Sequence, residues 1–337
     1  MKVCPNCFSD TEIKGLISTS EEKGNCNICN SKDVHLLDIK ELYDFFEELL
    51  ENFQIVEDGE PLRSKIQSNW SFFASRGTAT EILNSVLFEI SSEIISSDDL
   101  VDYTSEIKEN YNHWEIIKEE LKWSKRFFIN TAQLEDLGWD GFFNTQYELK
   151  SKDLLFRARV HHMSGLPAIS TSDMLCPPKN KASGGRANPL GIPYLYLSDS
   201  KETTLYEVRA AYLDELSVGT FKLKGGIEDL RIVDFTEDTS LFQPTMVKDT
   251  IKARLLREKI SIDLSKPMRR YDSEIEYIPT QFICEFIKVQ TGADGIRFRS
   301  SLDTKGKNIV LFDQNKIECT KVTLSKITSL KLKAIDL

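Results

Sequence analysis

The spacing of apolar and polar positions divides the chain into two textures. In DIKELYDFFEELLENF, residues 38–53, apolar side chains fall at 39, 42, 45, 46, 49, 50 and 53, with acids between them. That is one face of a helix. TEILNSVLFEISSEII, residues 80–95, repeats the pattern, with Thr80 placed to cap it. HWEIIKEELKWSKRFF, residues 113–128, carries its acids early and its bases late, as the helix dipole favours. GEPLRS and SSDDL read as connections, so 38–150 is expected to be an all-α packing module. From about residue 151 short β-like runs take over: LLFRARV, IPYLYLS, GTFKLK, LRIVDF, GIRFRS and KNIVLF. Two helices interrupt them. SKETTLYEVRAAYLDE, 200–215, is expected to start from an Asp199–Glu202 capping box. YIPTQFICEFIKVQ, 277–290, has Pro279 in its first turn. Strands outnumber helices here, and the expected class is α+β.

Charge changes the picture at the same place. The net charge of −10 divides unevenly: residues 38–150 hold 24 acidic and 10 basic residues, whereas 151–337 hold 24 acidic and 29 basic. This argues for a boundary near 150 and against nucleic-acid binding by the acidic middle, because phosphate binding needs clustered cations. The basic C-terminal part suits an anionic ligand. No apolar run approaches the roughly 20 residues that span a bilayer. The start MKVCPNC lacks a signal-peptide pattern, so a cytoplasmic protein is expected.

Seven cysteines in a reducing compartment are not read as disulfides. Cys4, Cys7, Cys26 and Cys29 form C-x2-C-x18-C-x2-C, two knuckles at a separation that suits tetrahedral zinc. Four thiolates leave no open position, so the expected metal is structural. Four unrelated buried cysteines, a redox pair, or His35 as a substitute ligand are the alternatives. The expected domains are a zinc ribbon at 1–37, the helical module at 38–150, a third domain at 151–320 and a tail at 321–337.

The richest chemistry lies in GGRANPLGIPYLYLSDSKETTLYEVR, residues 184–209. The glycine-rich loop exposes N–H groups that suit phosphate, and Arg186 within it can clamp one. Tyr194 and Tyr196, two apart on a strand, share a face and could stack on a flat ring. Glu207 sits mid-helix among apolar residues, where a carboxylate turned inward needs a reason. The plainer reading is an exposed Glu207 paired with a neighbouring cation. No GxGxxG or Walker loop opens a helix here.

LFRARV, the 184–209 stretch, YIPTQFICEFIKVQTGADGIRFRSS and GKNIVLF together resemble the RES-domain family. The family's arginine, its GR-x-N-x2-G loop, its Tyr–Leu–Ser strand, its helical glutamate and its terminal serine recur in order over roughly 151–320. The helical 38–150 stretch resembles, more loosely, the amino-terminal module often fused to such domains. The resemblance implies an ADP-ribosyltransferase-like fold and toxins that destroy NAD+ by hydrolysis or phosphorolysis. It places the catalytic residues on Arg157, Tyr196, Glu207 and Ser300. It places substrate-binding residues on Arg186, Asn188 and Gly191, with Tyr194 and Ser301 beside them. Arg159 is the second choice for Arg157, expected on the opposite strand face. The chain has Ala187 where small RES toxins often carry Trp, which removes a stacking group from the loop. The implied function is an NAD+-consuming toxin or defence effector, with zinc structural and NAD+ the substrate. An antitoxin, other regulatory protein or second copy is the implied partner. A nucleotide-binding module without catalysis, and ADP-ribose transfer to a macromolecule, are the other readings.

Overall fold

The computed structural model describes residues 1–90, 92–144, 146–237, 239–267 and 274–329. They form two compact units: Met1–His113 with Asp238–Leu256, and Trp114–Glu237 with Arg257–Leu337. These units do not follow the boundaries expected from composition, because charge reports the surface and a unit is defined by its core.

The first unit contains short strands β1 (Lys2–Val3), β2 (Lys23–Gly24), β3 (Val34–His35) and β4 (Leu37–Asp38) around helix α1 (Thr11–Ser18). Helices α2 (Tyr43–Leu50), α3 (Leu62–Trp70) and α4 (Arg76–Glu89) follow, with strands β5 (Phe53–Pro61) and β6 (Leu100–Tyr103). The antiparallel pairing of β5 with β6 corrects the all-α expectation for this stretch. GEPLRS is not a connection: it ends β5 and opens α3. The knuckles have no core of their own. Cys4, Cys7 and Cys26 are buried in one apolar cluster with Phe8, Phe46, Phe72 and Ile82.

Helix α4 starts earlier than expected. Ser75 caps it in a reciprocal box with Thr78, while Thr80 lies inside, its hydroxyl bonded back to the Arg76 carbonyl. The late segment is tied in by Asp10. Its Oδ1 accepts from Ser240 Oγ at 2.6 Å, and its Oδ2 from the Leu241 N–H at 2.8 Å. The same carboxylate caps α1 through Glu12 and Ile13.

The second unit is built on a sheet. Its strands are β7 (Gln146–Lys150), β8 (Leu155–Val160), β9 (Leu195–Ser198), β10 (Glu215–Leu223), β11 (Asp229–Asp234), β12 (Gly295–Arg299), β13 (Lys307–Leu311) and β14 (Ile317–Lys326). Among the described residues their order is β14-β10-β8-β9-β13-β12-β11-β7. All neighbours are antiparallel except β11 with β12. Strand β14 pairs with β10 along its length, so the expected tail at 321–337 begins inside the sheet; 330–337 lie outside the described residues.

Leu155, Leu195, Leu197, Phe221, Ile309 and Leu311 bury one core of this unit. Helix α5 (Ser105–Trp123) begins earlier than 113 and stops before Phe127; α6 (Thr131–Asp136) and α7 (Trp139–Phe142) follow it. Helix α8 (Lys201–Glu207) is much shorter than the expected 200–215. Arg209 turns left-handed, with φ 50°, and its N–H bonds to the Tyr206 carbonyl while the Ala210 N–H bonds to that of Leu205. This pair of bonds is a helix-ending motif. The cap is Ser200, accepting from the Thr203 N–H; Asp199 accepts from the Lys307 N–H instead. Helices α9 (Val247–Ser265) and α10 (Ile278–Thr291) complete the fold, the latter with Pro279 in its first turn as expected.

Gly295 fixes how closely β12 and β13 approach. A Cβ there would meet the Val310 carbonyl oxygen at 2.2 Å and Leu311 Cα at 3.2 Å. Backbone atoms cannot yield as a flexible side chain can. Gly295→Ala should therefore lower stability by about 1–3 kcal/mol. Gly225→Ala, where nothing lies within 4 Å, should leave it within about 0.5 kcal/mol. Thermal unfolding of the two variants side by side checks this.

Candidate active site

Strands β8 and β9 are neighbours, yet they pair only through Phe156 and Ser198. The sheet parts at this point. A cavity of about 630 Å³ lies there, lined by Phe156, Arg157 and Ala158 on one side and Tyr196, Leu197 and Ser198 on the other.

The connection between the two strands is folded back against them. Arg157 Nη1 donates to the Met174 carbonyl at 3.2 Å, and Arg159 Nη2 to the next carbonyl, Leu175, at 2.8 Å. The two arginines therefore point the same way, as residues two apart on a strand must, and not to opposite faces. Only Arg157 lines the cavity. Burial lowers its guanidinium to about 10, and the nearby Arg159 charge adds to that.

The glycine loop is held by Asn188 and Tyr196. Asn188 Nδ2 donates to the carbonyls of Ser183, Pro189 and Ile192, at 3.1, 3.1 and 2.9 Å. Its Oδ1 accepts from the Tyr196 hydroxyl at 2.7 Å, and that hydroxyl accepts from the Ala187 N–H at 2.9 Å. Burial raises the Tyr196 phenol, which stays protonated and spends its proton on the loop. Gly185 is required because a Cβ would strike that hydroxyl at 2.7 Å; Gly191 turns left-handed at φ 82°. Asn188 and Gly191 thus shape the loop and do not line the cavity.

Arg186 does line it. Its guanidinium donates to the Leu264 carbonyl and lies 6.0 Å from the centre of the Tyr277 ring. Burial lowers its pKa, partly offset by Tyr277 and Glu207. Tyr194 packs instead against Phe312, ring centroids 4.9 Å apart, outside the cavity. Ser301 is an exposed lining residue. His161 and His162 line no part of it.

Glu207 is the last residue of α8, exposed rather than buried mid-helix, and it faces the cavity. Its Oε1 accepts from Ser300 Oγ at 2.6 Å and from Asn308 Nδ2 at 2.7 Å. Asn308 Oδ1 in turn accepts from Ser198 Oγ at 2.7 Å. Ser300 Oγ also accepts from the Leu302 and Asp303 N–H groups, which turns its own proton toward Glu207. Sequence reasoning assigned no role to Asn308 or Ser198, which complete the hydrogen-bond network behind Glu207. Their signal was a pair of polar side chains in otherwise apolar strands, NIVLF and YLYLS. Among the described residues, four arginines, 157, 186, 209 and 299, and one carboxylate, Glu207, line the cavity.

The four cysteine sulfurs also converge, all within 4.8 Å of one another. Cys4 lies 3.8 Å from Cys7 and 3.3 Å from Cys29, and Cys7 lies 3.5 Å from Cys26. His35 is turned away, its Nδ1 on the Ser20 carbonyl.

Residues 154–332 match the RES domain family. The match takes in more than half of the chain, and the chain belongs to that family. No curated protein sequence matches it significantly. Among solved structures, the M. tuberculosis MbcT–MbcA toxin–antitoxin complex is similar over 53% of this chain and 86% of the matched chain. Identity is 14% and the TM-score is 0.28, too loose a superposition for residue correspondences.

Tyr196→Phe tests the loop. It strands the Ala187 N–H and Asn188 Oδ1 without their shared partner. Leaving buried polar groups unpaired costs about 1–3 kcal/mol. The expected result is a lowered melting temperature together with faster proteolysis within 183–192. A variant equal to wild type in both would show that the hydroxyl does not support the loop.

Proposed function

We propose that this chain cleaves the nicotinamide–ribose bond of NAD+. The observation that carries the reading is a carboxylate, fixed by two donors, in a cavity whose other charged lining groups among the described residues are all arginines. Membership of the RES family supports it. Heterolysis of this bond sends the electron pair out with nicotinamide and leaves positive charge on the ribose carbon, as in glycoside cleavage. Glu207 supplies the matching negative charge: Oε1 is held, and Oε2 makes no hydrogen bond among the described residues. A preorganised charge of this kind is usually the largest catalytic contribution. Nicotinamide is already a good leaving group, so no strong general acid is needed. Water, which gives up a proton to solvent, or phosphate then forms the new bond at the ribose carbon.

Arg157 and Arg186 would hold the pyrophosphate. Both are half-buried cations anchored on neutral carbonyls, and an anionic ligand offsets the cost of their partial desolvation. Ser300 acts through Glu207, and Tyr196 through the loop it ties down.

The cysteine cluster is read as structural zinc. Sulfurs at about 2.3 Å from a tetrahedral zinc lie about 3.8 Å apart, close to the spacings here. Burial raises the Cys4 thiol to about 12, a cost a cation would reverse. An enzyme that spends NAD+ in its own cell must be restrained, and a protein antitoxin is the partner this reading implies.

Purified chain incubated with NAD+, with and without phosphate, should release nicotinamide. Glu207→Gln keeps the size and a hydrogen-bonding oxygen but lacks the charge. It should lower kcat and kcat/KM together by on the order of 10²–10³. Undiminished turnover by the variant would sink the enzyme reading. Elemental analysis should find one zinc per chain. Because metal-binding energy is folding energy, Cys26→Ser should lose the zinc and expose the first unit's core to protease; a metal-free wild type would refute the assignment.

A further inference from the structure

We propose that Ser198 is a positioning residue, holding Glu207 through Asn308. This rests on the functional reading only for its kinetic consequence. The structural argument begins from donor inventory. A carboxylate accepts and cannot donate. The Asn308 side chain must therefore turn its NH2 toward Glu207 Oε1, at 2.7 Å, which leaves its oxygen on the other side. That oxygen meets the Ser198 hydroxyl at 2.7 Å. The hydroxyl has one proton, and it must go to Asn308.

Each link now has a fixed direction: Ser198 donates to Asn308, and Asn308 donates to Glu207. Ser300 approaches the same Oε1 with its own proton committed in the same way by two backbone donors. Ser198 and Asn308 are 3% and 9% exposed, so water is a poor replacement for either bond. Register explains the placement. Ser198 and Asn308 are directly paired across β9 and β13, and Ser198 also closes the single pairing of β9 with β8. The residue that pins the strands at the mouth of the split thus also sets the amide that holds the carboxylate.

Without the Ser198 proton, the buried Asn308 oxygen is unpaired and the amide loses its preferred orientation. Reversed, it would present oxygen to a carboxylate. Among the described residues, the other charged groups lining the cavity around Glu207 are Arg157, Arg186, Arg209 and Arg299, from β8, the glycine loop, the turn after α8 and β12. None of them is altered by a change at Ser198.

The experiment compares Ser198→Ala, Ser198→Thr and Asn308→Asp in the full chain. Two readouts are used: NAD+ kinetics and the NMR titration of the Glu207 carboxyl. Losing a donor to a carboxylate raises its titration midpoint. Ser198→Ala should raise that midpoint and lower kcat about 10-fold, with KM within about twofold. Ser198→Thr keeps the hydroxyl and should restore both. Asn308→Asp, nearly isosteric, keeps the proposal testable if the alanine variant folds poorly; it should raise the midpoint further. An unmoved midpoint in both Ser198→Ala and Asn308→Asp overturns the proposal, as does a threonine variant that fails to rescue. Should wild type leave NAD+ intact while the midpoints still move as stated, the relay stands and the functional reading falls.

Discussion

Strands β8 and β9 lie side by side but share one register pair, Phe156 with Ser198. Main-chain groups that cannot bond across a sheet must be satisfied elsewhere or left to water. The connection between the strands is held there by side chains and not by a ladder. It returns over the gap, and the side chains of β8 and β9 bind its backbone: Arg157 and Arg159 take the Met174 and Leu175 carbonyls, and Tyr196 takes the Ala187 N–H. The opening exposes side chains from both neighbouring strands to one space. A continuous ladder would have closed it and set alternate residues on opposite faces.

Electrostatics follows from the same opening. Arg157, Arg186 and Arg299 are each anchored on a main-chain carbonyl, of Met174, Leu264 and Thr236. Neutral acceptors fix the direction of a guanidinium without cancelling its charge. The Glu207 carboxylate is treated in the opposite manner, held by neutral donors from Ser300 and Asn308. Charge in the cavity is thus oriented by groups that leave its sign intact.

Much of the second unit was legible in the chain. The six β-like runs all lie on strands, because each is a short apolar stretch bounded by turn residues. The resemblance carried by the GGRAN loop and the YEVR segment pointed to Arg157, Arg186, Glu207 and Ser300, which the fold brings together. Other parts were hidden for physical reasons. Helix α9 buries Val247, Ile251, Leu256, Ile260 and Leu264. Spacings of four and five drift around a helix and never define one stripe. The early end of α8 depends on Arg209 adopting a left-handed angle that glycine usually takes, so a helical pattern ran on in the sequence beyond the helix itself. Tyr194 and Tyr196 alternate correctly, yet their surroundings differ: one meets Phe312, the other a loop. Ser198 and Asn308 are ordinary strand residues until register sets them opposite each other, and register is not written in either segment alone.

Glu207 is separated from its two donors by long stretches of chain, Ser300 93 residues later and Asn308 101 later. A ribosome adds residues from the amino end, so the acid is made well before the groups that aim it. During that interval the nascent polypeptide holds the arginines of β8 and of the glycine loop and a freely rotating carboxylate. It lacks β13, the partner along which β9 aligns. The order of synthesis therefore delays assembly of the site until its last strands emerge, and a translation product cut short before residue 300 would lack both donors.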